Sequence, residues 1–321
     1  MEKVKLGIVG AGYIAQKHLE VIDAIDEIEA VAITSRTFSK AKALARDHNI
    51  GVCANSVESM IQDVDIDALL ILVSPDQMFS VVAKAIPYKL PLFIEKPAGL
   101  TPKENLELAQ LSEKHGTLSM VGFNRRYYSI YHKGMAIIKE AGPLLGVAVE
   151  GHERMWRIRE GGNFSEDIIK DWIFANSTHT IDLLPFFGGK PKNISSLAHG
   201  YHESRGDQFA SIMEFEAGGI GQYHANWYSP GGWKTVLYGD GVTVEFKPLE
   251  QGRWTDKSFA VHEIEPDDID KDFKPGFYGQ MKSFVRLVRQ GKLEWPALDL
   301  QGSYQTMLLA EKMSLNVAKK E

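Results

Sequence analysis

Short apolar runs alternate with amphipathic stretches through the first third of the chain. Residues 4–9 (VKLGIV) form an apolar-rich run that ends in glycines, and residues 13–25 follow with Ala15, Leu19 and Ile22 at helical spacing. A second run at 28–33 reads as a strand and 37–48 as a helix. Residues 68–73 (ALLILV) are apolar on both faces of an extended chain, the mark of a strand buried inside a parallel sheet. That run stops at the breaker Ser74-Pro75. Residues 78–86 read as helix and 92–94 as strand. Thr101 caps the next helix, with Pro102 at its first position and Glu104 placed to close a capping box. Residues 118–121 make a last short strand. This alternation predicts an α/β fold built on a doubly wound parallel sheet.

The pattern changes near Gly122. From Leu144 onward the strand candidates (147–151, 194–198, 209–215, 220–226, 234–238 and 242–246) follow one another through Gly-rich turns without intervening helices. They predict a C-terminal α+β domain with a large, mostly antiparallel sheet. Helices at 177–187, 277–289 and 303–319 are expected to cover one face of it, leaving the other for a subunit partner in a homo-dimer or homo-tetramer. The expected domains are 1–122 and 123–321.

Composition narrows the function classes. The 321 residues carry a formal net charge of −6, and no Lys/Arg-rich block offers a footprint for a nucleic-acid backbone. Cys53 is the only cysteine, which excludes an internal disulfide framework and suits a reducing compartment. No apolar run reaches the length of a membrane span, and the first residues do not resemble a signal peptide; a cytoplasmic protein is expected.

The strongest local chemistry is Gly10-Ala11-Gly12-Tyr13-Ile14-Ala15, a G-x-G-x-x-A that follows a strand and opens a helix. Gly10 permits the tight turn, Gly12 lets backbone approach a pyrophosphate, and Ala15 allows close helix–sheet packing. The helix N-terminus adds amide donors and a favourable dipole for phosphates. The sequence thus calls for a nicotinamide dinucleotide. NAD binders usually end the second strand with an acid that holds the ribose hydroxyls. Here the end is Thr34-Ser35-Arg36-Thr37, so Ser35 and Arg36 favour NADP over NAD through contacts to a 2′-phosphate, with Lys40 as a weaker helper.

Glu95-Lys96-Pro97 ends a strand about ninety residues beyond the start of the chain. Gly122-Phe123-Asn124-Arg125-Arg126-Tyr127 lies at the crossover, and His179-Thr180-Ile181-Asp182 opens a helix in the second domain. In order and spacing the chain resembles the glucose–fructose oxidoreductase/inositol dehydrogenase (Gfo/Idh/MocA) family over essentially its whole length. The resemblance implies an NAD(P)-dependent dehydrogenase or reductase acting on a CH–OH group of a sugar, polyol or derivative. Lys96 would sit beside the nicotinamide and stabilise charge developing on the reacting oxygen. His179 would be the general acid/base, its ordinary pKa of ~6.5 suiting proton exchange at neutral pH. Pro97 would fix the turn, with a cis bond as one way to do so.

Many members carry an Asp four residues before this histidine, where the present chain has Ala175. Asn176 or Asp182 could partly substitute. The expected cofactor contacts are Gly10, Gly12, Tyr13, Ile14, Ser35, Arg36, Ser74, Glu95, Lys96 and Asn124. The expected substrate contacts are Lys96, Tyr127, Arg154, Asn176 and His179. Arg154, Arg157 and Arg159 could grip a carboxylate or phosphate, or simply be solvated. Trp172, Trp227 and Trp233 could stack on a sugar face. His199 and His202, three apart on an expected strand, would point to opposite faces, so no metal site is expected. Two alternatives stay open: redox-assisted glycoside cleavage with the cofactor recycled, and a non-catalytic NAD(P)-binding regulator.

Overall fold

The computed structural model describes residues 2–315 and 318–319. The first sheet contains β1 (Val4–Val9), β2 (Ile28–Thr34), β3 (Val52–Cys53), β4 (Ala68–Ile71), β5 (Leu92–Ile94) and β6 (Ser119–Val121). All neighbours pair in parallel, in the order β3-β2-β1-β4-β5-β6. Every residue of β4 is buried, because helices cover both faces of a strand at the centre of such a sheet. The order reverses between β1 and β4, and a crevice at the carboxyl ends of the strands belongs at that reversal. The sequence reading missed β3 and the helix Val57–Asp63. The helix opens with Ser56 and Ser59 capping each other's backbone amides, not with the acid expected of a capping box.

The first compact unit runs to Tyr127 and also takes in Ile269–Tyr304. This corrects two expectations. The division is not a single cut at residue 122, and the helix Phe277–Gln290 does not cover the second sheet. Its Phe277, Met281 and Phe284 share one core with Leu6 and Ile8 of β1 and Phe93 of β5. The helix has the expected period, but its partner is set by pairing across more than 180 residues of chain, which period alone does not encode.

The second unit holds β7 (Leu144–Gly151), β8 (Pro191–Gly200), β9 (Gln208–Phe215), β10 (Ile220–Asn226), β11 (Trp233–Gly239), β12 (Val242–Phe246), β13 (Gly252–Thr255), β14 (Val261–Ile264) and β15 (Ala318–Lys319). Their order is β14-β13-β12-β11-β7-β10-β9-β8-β15. Pairing is antiparallel except between β7 and β10 and between β8 and β15. Strict alternation along β9 buries Phe209, Met213 and Phe215. Leu197, Ile212, Ile220 and Tyr238 lie on the exposed side of their strands. The expected helix 303–319 is observed as Leu300–Ser314, with Ala318–Lys319 a strand instead; positions 316 and 317 lie outside the described residues. The expected helix 177–187 is broken into a π turn (Ile173–Ser177) and two short helices (Thr178–Ile181 and Leu183–Gly188).

Between β8 and β9 the chain is held by one buried carboxylate. Asp207 accepts the backbone amides of Tyr201 at 3.2 Å and Glu203 at 2.8 Å, and that of His202 as well. Removing it strands three amide donors. Asp207→Ala is therefore expected to lower stability by about 2–3 kcal/mol, read as a lower urea midpoint with an unchanged slope.

Candidate functional site

Each unit contains a cavity lined by residues that the sequence singles out. In the first, the turn after β1 is dictated by sterics. Gly10 has φ +116°, and a Cβ there would lie 2.4 Å from the carbonyl oxygen of Leu72. Only glycine fits. Gly12, which caps the helix Tyr13–Asp23, has an ordinary φ of −92°, and a Cβ there would meet no atom within 4 Å. Nothing in the chain itself demands glycine at 12. Ala15 is fully buried, as close helix–sheet packing requires.

Gly10, Gly12, Ser35, Arg36 and Ser74 line one cavity of about 640 Å³, together with Lys40. Its wall carries two cations and no carboxylate. Asp76, in the first turn of the helix Pro75–Ala85, is not part of that lining. Burial pushes this carboxyl up, but hydrogen bonds from Ser74, Gln77 and its own amide, with the Arg36 charge, hold it below the usual carboxylate range.

Tyr13, Ile14, Glu95, Lys96 and Asn124 are outside that wall. Lys96 is half-buried at the carboxyl end of β5, two strand spacings (~10 Å) across the sheet from β1. Its bond to Pro97 is cis. The Glu95 side chain turns into the protein. One oxygen lies 3.2 Å from Nε2 of His18 and the other accepts the Lys96 amide at 2.9 Å, so it clamps the loop. His18 in turn is packed against Phe93 and Phe277. Lys274, unnoticed in the sequence, is held below its usual pKa by burial, against the pull of Glu95. It and Lys17 flank the Tyr13 ring, each 5.8 Å from its centroid.

Two further site candidates, Asn124 and Tyr127, have their surroundings within the first unit. Asn124 is buried and donates its Nδ2 to the carbonyl of Pro275 at 3.0 Å, which ties the crossover turn to the returning segment. Tyr127 packs against the same core with its hydroxyl buried near Ser283. Burial pushes that phenol up to about 12.

In the second unit a cavity of about 740 Å³ is lined by His152, Glu153, Arg154, Arg157, Trp172, Asn176 and Trp233, among others. Arg154 and Asn176 thus share one wall, and His179 is not part of it. His179 is 9% exposed, with its ring 6.1 Å from that of Trp233. Burial pushes the His152 imidazole below its ordinary value, against the pull of Glu150. Arg159 belongs elsewhere. It makes two bonds to Glu203, at 2.8 and 2.7 Å, and reaches Glu166 at 3.1 Å. Trp227 is buried against Phe209, 5.1 Å between ring centroids, and cannot stack on a ligand in this cavity. Asp182 is buried too, accepting from Thr306 at 2.9 Å.

Glu153 is the residue the sequence reading passed over. It lies just beyond β7, is 4% exposed, and accepts Nδ2 of Asn176 at 3.2 Å to each oxygen and Oγ of Ser177 at 2.9 Å. In the sequence it reads as one charge in a charged loop. The cue available there was its place directly after a strand that ends in Gly151. His202 falls beyond the end of β8, and no cluster of metal-ligating side chains occurs among the described residues. No described helix is long and apolar enough to cross a membrane.

Residues 4–123 match the model of an oxidoreductase family with an NAD-binding Rossmann fold, Gfo/Idh/MocA. The chain is 30% identical over 138 residues to the uncharacterized oxidoreductase YrbE of Bacillus subtilis, a match spanning 43% of this chain and only 40% of that protein. It is 23% identical to the scyllo-inositol 2-dehydrogenase (NAD(+)) of the same organism, over 90% of this chain and 87% of the relative. A structure of a putative NADPH-dependent oxidoreductase from Desulfitobacterium hafniense superposes with a TM-score of 0.84 at 15% identity, covering 99% of this chain and 96% of that one, and so shares the fold.

Proposed function

Starting from a chain whose Rossmann domain belongs to the Gfo/Idh/MocA oxidoreductase family, we propose that it transfers hydride between NADP(H) or NAD(H) and a CH–OH carbon of a sugar, polyol or derivative. The observation that carries this reading is Gly12. A glycine with an unstrained backbone, no neighbour where its Cβ would be and a place on a cavity wall is explained by a ligand that needs the backbone itself. Gly10, Gly12 and the first amides of the helix at Tyr13 and Ile14 would hold the pyrophosphate. A nicotinamide bound in this way would supply the two-electron acceptor.

The protein's own groups account for the proton and the charge. Lys96, at a strand end beside that crevice, donates to the reacting oxygen and stabilises negative charge on it. His179 takes the hydroxyl proton as the carbonyl forms, and returns it in the reverse direction. Arg154, Asn176 and the two cavity tryptophans bind the rest of a carbohydrate-like substrate. The exposed side of the second sheet, with Leu197, Ile212 and Ile220, offers a face for a second copy of the chain.

A screen of sugars and polyols with NAD+ and with NADP+, followed by absorbance of the reduced nicotinamide, tests the activity. Binding of neither nucleotide would end this reading. The preference for NADP rests on Arg36 and Lys40 in a wall without carboxylates. Ser35→Asp with Arg36→Ala is expected to raise the Kd for NADP+ at least about tenfold and leave that for NAD+ equal or lower. An unchanged ratio of the two constants would mean that Arg36 does not read the 2′-phosphate.

A further inference from the structure

We propose that Glu153 is a positioning residue that fixes which end of the Asn176 carboxamide faces the substrate. The inference deepens the dehydrogenase reading and, for its substrate consequence, rests on it. A carboxylate can only accept hydrogen bonds. With both Glu153 oxygens 3.2 Å from Nδ2 of Asn176, the amide nitrogen is bound to that carboxylate and the carbonyl oxygen is the end left to serve the cavity that Asn176 lines. The opposite orientation would press the amide oxygen against a carboxylate. Ser177 Oγ donates to the same group at 2.9 Å, so Glu153 holds two consecutive residues of the π turn from outside that turn.

The clamp is rigid from beneath. Glu153 follows β7, the central strand of the second sheet, by two residues. At the end of β7, a Cβ on Gly151 would sit 2.2 Å from the hydroxyl of Tyr223, which is itself 3.3 Å from Oγ1 of Thr180. Thr180 Oγ1 donates to the Ser177 carbonyl at 2.9 Å. Strand end, π turn and the short helix carrying His179 are thereby joined by side-chain bonds on both sides of Ser177. Asn176 lies in the π turn and lines the cavity, and His179 stands in the short helix that follows. A ligand group placed in that cavity against Asn176 therefore meets an acceptor. The site selects a substrate that donates a hydrogen bond there, and disfavours a methyl ether or other group that can only accept.

The first readout needs no ligand. In protein labelled at the asparagine side-chain nitrogen, the Asn176 resonance is identified by its loss in Asn176→Ala. Its amide protons are expected downfield, as for donors to a carboxylate, and protected from exchange. In Glu153→Gln they should move upfield and lose protection, while Glu153→Asp, which keeps the acceptor, should restore much of both. An Asn176 amide unaffected by Glu153→Gln would overturn the proposal; so would an effect of Glu153→Asp as large as that of Glu153→Gln. The second readout uses myo-inositol and its mono-O-methyl ethers with NAD+ and NADP+. Glu153→Gln is expected to raise KM for the parent polyol about tenfold with a smaller change in kcat, and to narrow its preference over the ethers. An undiminished preference would overturn the substrate part. Absence of turnover in the wild type with an intact Asn176 signal would count against the dehydrogenase reading and leave the clamp standing.

Discussion

Lys96→Ala is expected to lower kcat about a thousandfold while leaving nucleotide affinity within a few-fold of wild type. A single preorganised donor to a developing oxyanion is worth ~10²–10³ in rate, and the lysine would also take part in proton movement. Its backbone is fixed without its side chain: the amide bonds to Glu95, and Glu95 is engaged with His18 in a buried site. Truncating the lysine side chain therefore leaves the loop in place. Fluorescence titration with NADPH separates binding from chemistry. If turnover persisted near the wild-type level, hydride transfer would have to be organised around some other group. Lys96→Arg keeps the charge but replaces a compact ammonium with a planar fork, and should recover only a small part of the rate.

The second large effect is on the fold itself. Gly10→Ala forces a left-handed backbone and a contact of 2.4 Å with the Leu72 carbonyl, which is backbone and cannot rotate away. A strained residue costs ~1–3 kcal/mol, and the clash adds to it by parting β1 from β4. Soluble yield and thermal midpoint should both fall, and nucleotide binding should be lost in whatever folds. Gly12→Ala is the informative contrast. With no protein atom near its Cβ and an ordinary φ, it should fold and melt like the wild type yet bind nucleotide at least about tenfold more weakly. Equal affinity in Gly12→Ala would remove the main support for a dinucleotide at this turn.

How much of this could be read from the sequence differs between the two halves. Period and breakers located the parallel strands other than the two-residue β3, because a run such as ALLILV buried on both faces has few other uses. The glycine loop was legible as a short motif between a strand and a helix, although what enforces Gly10 is the Leu72 carbonyl of another strand's end. The strands β13 and β14 were not, since their exposure does not alternate as a half-buried strand should. The tie of the Asn124 side chain to the Pro275 carbonyl was not legible either, because the two lie about 150 residues apart in the chain. Glu153 was overlooked on similar grounds. Its partners Asn176 and Ser177 are remote in the sequence, and nothing local distinguishes a carboxylate that will be buried from one that will be solvated. The π turn leaves no periodic signature either, since an added residue in a turn breaks the very spacing by which helices are recognised.

The return of Ile269–Tyr304 to the first unit bears on biosynthesis. Phe277, Met281 and Phe284 complete a core whose other members are translated some two hundred residues earlier. At ~5–20 residues per second, the emerging nucleotide-binding half waits on the order of ten seconds or more with that apolar surface open. An expression fragment stopped after residue 127 would inherit the same exposed surface permanently, and should be recovered from inclusion bodies or bound to chaperones.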